Sequence, residues 1–111
     1  MFIDSHCHLD FPDLANDLPK LLHNMQDHQV THALCVSVNL PDFPRVRALA
    51  EAHANLYASV GVHPDYENEI EPQADQLAAL ADHPKVVAIG ETGLDYFRLQ
   101  GNLEWQRQRF R

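Results

Sequence analysis

Val86-Val87-Ala88-Ile89 is an unbroken apolar run, set off by Pro84 before it and ended by Gly90-Glu91-Thr92-Gly93-Leu94-Asp95. Too short for a helix and rich in β-branched side chains, it reads as a strand. A strand apolar at every position is expected to be covered on both faces, the condition of a parallel sheet. The same kind of run recurs upstream at Leu56 to Val62, at His32 to Val38 and at Phe2 to Ser5.

Between these runs the spacing turns helical. Leu14, Leu18, Leu21, Leu22 and Met25 predict a helix from about Asp17 to His28, with Pro19 in its first turn, where proline is tolerated. Asp42 reads as the cap of a second helix, with Pro44 in its first turn and Val46, Leu49, Ala50 and His53 following. Pro72 opens an Ala/Leu helix through Leu77 and Leu80, and Asn102 caps a last one carrying Leu103, Gln106 and Phe110. Strand and helix alternating at roughly 25 to 30 residues specify parallel βαβ units. An open doubly wound sheet and part of an eight-stranded barrel both fit. No glycine-rich phosphate loop follows any strand, which removes the usual dinucleotide and P-loop readings.

A closed barrel needs about 250 residues and eight units, whereas these 111 residues hold four strands. Trp105-Gln106-Arg107-Gln108-Arg109-Phe110-Arg111 is amphipathic and carries no stop signal, so the chain is expected to finish inside a helix. Apolar runs fall far short of the roughly 20 residues that span a bilayer, and Met1-Phe2-Ile3-Asp4 has no basic flank of an export signal. Two cysteines without such a signal read as reduced thiols, and the chain is expected to be cytoplasmic. Eight basic against 16 acidic residues leave a net charge of −8. This excludes a passive nucleic-acid-binding surface in this chain, since counterion release needs basic groups. It does not exclude chemistry on a phosphate ester, because a bound divalent ion supplies positive charge locally. Eight histidines make such an ion worth looking for.

Asp4-Ser5-His6-Cys7-His8-Leu9-Asp10 closes the first strand. The two-residue period points His6 and His8 to one side and Cys7 to the other, so two imidazoles are placed to share a metal. Asp4 has the same parity and is expected to orient an imidazole through its second nitrogen. Glu91 follows the fourth strand between Gly90 and Gly93, and His63 follows the third in Gly61-Val62-His63-Pro64. Alone, each is as readily a strand-end histidine or a turn glutamate. Together they put three polar groups at the C-terminal ends of three parallel strands, where such folds build their sites. Nitrogen and carboxylate donors without thiolate suit Zn, Mn, Fe, Ni or Mg. His23, His28, His32, His53 and His83 are assigned to surface or packing, and Cys7 and Cys35 to the core.

These stretches resemble the TatD family of metal-dependent hydrolases, TIM barrels of the amidohydrolase type. The likeness runs through Phe2 to Asp10, Gly61 to Pro64 and Val87 to Tyr96, in the order and spacing of that family's first half. The resemblance implies a (β/α) TIM-barrel fold of which this chain holds the first four βα units. It makes residues 1–111 the N-terminal half of a single barrel domain, with the C-terminal half absent. It further implies a centre of two divalent ions (Zn, Mg or Mn) and hydrolysis of DNA phosphodiesters. His6, His8 and Glu91 become metal ligands, with Glu91 bridging and catalytic. His63 and Arg98 face the substrate phosphate, and Asp95 supports the loop after Glu91. The family takes two more histidines and an aspartate from later strands, so activity is expected only in the complete barrel. An amidohydrolase acting on another substrate, an inert fragment, and a half-barrel completed by a second chain remain alternatives.

Overall fold

The computed structural model describes residues 1–67 and 69–111. Its elements are β1 (Phe2–Cys7), α1 (Pro12–Ala15), α2 (Leu18–Asp27), β2 (Val30–Cys35), α3 (Phe43–Ala52), β3 (Leu56–Val60), α4 (Ala74–Ala81), β4 (Val86–Ile89) and α5 (Glu104–Phe110). The strands form one parallel sheet in the order β1-β2-β3-β4. Each strand therefore pairs with the next one along the chain, and no reversal of strand order occurs. A doubly wound sheet has such a reversal and helices on both faces. Here a single core joins Ala33 and Cys35 of β2, Leu56, Ala58 and Val60 of β3, and Val86 of β4 to Phe43, Val46 and Ala50 of α3. Leu18, Leu21, Leu22 and Met25 of α2 and Leu77 and Leu80 of α4 pack against the same core. Sequential order with helices gathered on one face is the geometry of barrel-type βα units.

The helices form where the spacing places them. Phe43, Val46 and Ala50 lie on one face of α3 and are all buried; burying a side chain such as Phe43 or Val46 contributes about 1.5–3 kcal/mol. Pro19 and Pro44 occupy the first turns of α2 and α3. Asp42 does not cap α3 with its side chain. Its backbone is already near helical, and its carboxylate accepts from Asn39 Nδ2 at 2.9 Å and pairs with Arg45 at 3.0 Å. Asn102 Oδ1 does accept the Glu104 N–H, at 3.0 Å, although Leu103 occupies the cap position.

The expectation for β4 is half met. Val86 is buried in the core, but Val87 and Ile89 are 57% and 50% exposed, Ile89 in register with the buried Val60 and beside Leu77 of α4 and Trp105 of α5. Phe2 and Ile3 of β1 are likewise 66% and 64% exposed. No helix among the described residues is long and apolar enough to cross a membrane.

Candidate metal centre

β1 runs its C-terminal end into His6 and His8. His6 Nε2 lies 3.3 Å from Glu91 Oε2. The two imidazoles meet edge to face with centroids 5.1 Å apart, and Phe11 stacks on His8 at 4.7 Å. Asp4 does not orient a ring: its carboxylate accepts the main-chain N–H of His6 at 3.0 Å, which tightens the strand end. The His8 ring is held by the Val36 carbonyl, 3.0 Å from Nδ1. A carbonyl only accepts, so that nitrogen carries the proton and Nε2 is left free as a donor atom. Cys7 points the other way, and its thiol donates to the Leu34 carbonyl at 3.3 Å.

Glu91 follows β4, and its backbone is held from β3 and from the loop after β2. Its N–H donates to the Ser37 carbonyl and the Gly90 N–H to the Val60 carbonyl, both at 2.8 Å. The Ser59 hydroxyl donates to the Gly90 carbonyl at 2.8 Å and accepts the Ser37 N–H at 3.2 Å. Gly61 makes this crossing possible. A Cβ there would sit 2.6 Å from the Gly90 carbonyl carbon and 2.8 Å from the Glu91 oxygen, closer than side chains approach backbone. Beyond Glu91, Gly93 has φ +135°, which favours glycine.

His63 leaves β3 with its N–H on the Val38 carbonyl at 2.8 Å. Its Nε2 stands 3.2 Å from Glu91 Oε1 and its Nδ1 2.5 Å from Asp65 Oδ1. The short loop Val36-Ser37-Val38, buried throughout, thus touches His8, Glu91 and His63 in turn. Asp95 Oδ1 accepts the N–H groups of Phe97 and Arg98 at 3.0 and 3.1 Å, and Oδ2 pairs with the Arg98 guanidinium at 2.6 Å. The Arg98 N–H and guanidinium hold the Asp95 carboxyl below its ordinary value. Gln106, fully buried on α5, accepts from the Asp95 N–H and donates to the Pro64 and Asp95 carbonyls, stapling the loops after β3 and β4 together.

His6, His8, His63, Glu91 and Arg98 therefore line one open cleft of about 320 Å³. One donor atom each from His6, His8 and Glu91 lie within 4.8 Å of one another. Two imidazoles, one with its free nitrogen already set by Val36, and a carboxylate one-quarter exposed fit a divalent ion of borderline character. Asp65, Ser37, Ser59 and Gln106 also belong to the site, through contacts that local sequence does not mark. Only Asp65 leaves a signal in the sequence, two positions after His63.

A parallel α/β sheet with this donor set at its strand ends defines an α/β protein of the barrel type with a candidate metal site. The chain belongs to the TatD-related DNase family, whose description matches residues 3–111. It is 41% identical, over 86% of its length, to the uncharacterized metal-dependent hydrolase YjjV of Escherichia coli K12, covering 38% of that protein. An uncharacterized metal-dependent hydrolase of Buchnera aphidicola is 35% identical over 98% of this chain and 42% of its own. The 3'-5' ssDNA/RNA exonuclease TatD of Pantoea vagans is 34% identical over 96% and 42%. The crystal structure of YjjV, a TatD homologue from E. coli K12, superposes with a TM-score of 0.82 at 33% identity, over 98% of this chain and 43% of that one. The chain thus spans about two-fifths of the length of the relatives it matches, and its four βα units correspond to that part of the TatD-type barrel.

Proposed function

We propose that residues 1–111 are the N-terminal half of a TatD-type barrel domain that hydrolyses DNA phosphodiester bonds with divalent ions, in the cytoplasm, and that is active only as the complete barrel. The observation that supports this most is the convergence of His6, His8 and Glu91 within 4.8 Å. In this reading His6, His8 and Glu91 would hold the divalent ions, with Glu91 as the shared carboxylate ligand. Ions held there would supply Lewis acidity toward a phosphate oxygen and a water molecule. The chain's own residues do the rest. His63 offers Nε2 to a phosphate oxygen from beside Glu91, and Arg98, pinned by Asp95, brings a fixed cation to the same cleft. Asp4 tightens the strand end under His6.

The test compares Glu91→Gln with His63→Ala in the full-length protein, measuring metal content beside cleavage of a 3'-labelled single-stranded oligonucleotide. A histidine contacting phosphate contributes about 1.5–3 kcal/mol, roughly ten- to a few hundred-fold in rate. Loss of Glu91 removes positioning of both ions, and the expected fall is thousands-fold with reduced metal content. Glu91→Gln retaining metal and rate while His63→Ala is dead would reverse the two roles. Chelator-sensitive DNA cleavage by residues 1–111 alone, abolished in Glu91→Ala, would sink the requirement for a complete barrel. Turnover of an amide or lactone panel with DNA left intact would move the protein to another amidohydrolase-type reaction.

A further inference from the structure

Three uncharged side chains also line the cleft: Phe11, Val38 and Tyr66. They follow β1, β2 and β3, so three neighbouring strand ends each set an apolar or aromatic group beside the polar ones. Phe11 stacks on the His8 ring with centroids 4.7 Å apart and planes 15° from parallel, and Tyr66 leans on the His63 ring at 5.7 Å. The Phe11 N–H donates to the His8 carbonyl and the Tyr66 N–H to the His63 carbonyl, both at 3.1 Å. Among the described residues neither ring belongs to the hydrophobic core. Phe11 stays 38% exposed although it stacks on His8. We infer that Phe11 and Tyr66 form a stacking subsite for an unpaired nucleobase, next to the phosphate position at His63 and Arg98.

A phosphate by itself calls for none of this aromatic surface. Charge and hydrogen bonds from His63 and Arg98 meet it, and both residues line the same cleft. Ring faces beside them suit a ligand that joins an anion to a flat apolar body, and a nucleotide has that form. Base stacking on Phe or Tyr tolerates any sequence, because every base has a π-face. The bases of a duplex are already stacked on one another, so the subsite takes a nucleotide of a single strand or a frayed end. Its rings are held before any ligand arrives. The turn under Tyr66 is anchored by Arg109, a nearly buried side chain that donates to the Tyr66 carbonyl at 2.9 Å and the His63 carbonyl at 3.4 Å. Little ordering is then left for binding to supply.

The inference rests on the proposed role of His63 and Arg98 at the substrate phosphate, and the experiment separates the two. Thymidine 5'-monophosphate and its abasic counterpart, dideoxyribose 5'-phosphate, are titrated calorimetrically into the zinc-loaded full-length protein. They carry the same phosphate and differ by the base. The wild type is expected to bind the nucleotide roughly five- to a hundred-fold more tightly. In Phe11→Leu and in Tyr66→Leu that ratio is expected to fall toward one. A variant that loses affinity for both ligands in proportion, with the ratio kept, would overturn the subsite and leave the rings as supports for His8 and His63. Equal binding of the two ligands by the wild type would overturn the subsite alone, with the phosphate position still standing. Binding of neither would overturn the phosphate position and the subsite with it. The wild-type ratio needs no variant, so the test holds even where a substitution unfolds the protein.

Discussion

β1 and β3 lie two strands apart in the same sheet and contribute to the site in opposite ways. β1 is exposed along nearly its whole length, yet it carries His6 and hands on to His8. β3 is buried at every position but one and offers the cleft no ligand within its span. What β3 contributes is placement. Its Val60 carbonyl and Ser59 hydroxyl hold Gly90, and Gly61 just beyond it leaves room for the Glu91 backbone to cross. The loop after β2 works in the same way through Val36, Ser37 and Val38. The strand that bears ligands is exposed at apolar Phe2 and Ile3 as well as at its polar positions. The strand that aims them is buried because fixed hydrogen-bond geometry needs a dry, close-packed surround.

The sharpest way to break this contrast is Gly61→Ala. Backbone atoms 2.6–2.8 Å from the new methyl cannot yield as a side chain would. Overpacking typically costs about 1–3 kcal/mol, and this site is expected at or above the top of that range. Denaturant unfolding measures the loss, and zinc titration should weaken in parallel because Glu91 is displaced from His6. An alanine variant as stable as wild type, with unchanged zinc affinity, would show that β3 does not aim Glu91.

Ser59→Ala is next. It keeps volume nearly constant but strands the Ser37 N–H and loses the donor to the Gly90 carbonyl. The expected cost is roughly 1–3 kcal/mol in denaturant midpoint at constant slope. The matching substitution on β1, Ile3→Ser, should fall within about 1 kcal/mol of wild type, since Ile3 is already 64% exposed and only strand preference is at stake. A larger loss there than in Ser59→Ala would invert the comparison.

The smallest effect is local and depends on pH. Asp95 is held below its ordinary carboxylate value of 3.8, chiefly by the Arg98 N–H and guanidinium. A carboxyl whose folded value is depressed favours the folded loop fully above the ordinary value, and that contribution is lost as pH falls through the lowered one. The Phe97 and Arg98 amide resonances are therefore expected to stay constant from neutral pH to about 4. Below that they should move toward loop values as the two hydrogen bonds to Oδ1 are given up. Asp95→Asn should remove the transition. Movement centred well above 3.8 would contradict the direction of the shift.

Much of this molecule is legible in local pattern. Four apolar runs mark four strands, Leu and Ala spacing marks the helices, and the two-residue strand period puts His6 and His8 on one side. Such features depend on residues a few positions apart, so the amino-acid sequence alone determines them. The unbroken apolar run of β4 predicts cover on both faces, whereas Val87 and Ile89 are half exposed, because such a run reports affinity for a dry surface and not whether that surface is present. Asp4 and Asp42 share one lesson. A short carboxylate has several donors within reach, and the closest one after folding takes it: the His6 N–H in one case, Asn39 and Arg45 in the other.

Only the tertiary structure decided how the site is aimed. The Val36 carbonyl that sets His8 is 28 positions away, Ser59 and Gly90 are 31 apart, and Gln106 reaches back 42 to Pro64. Several of these partners are main-chain groups, which every non-proline residue possesses and which leave no mark in composition or spacing. The sequence by itself determined which side chains are able to bind and on which strand ends they sit. Folding, by bringing distant N–H and C=O groups into register across β2, β3 and β4, determined where those side chains point.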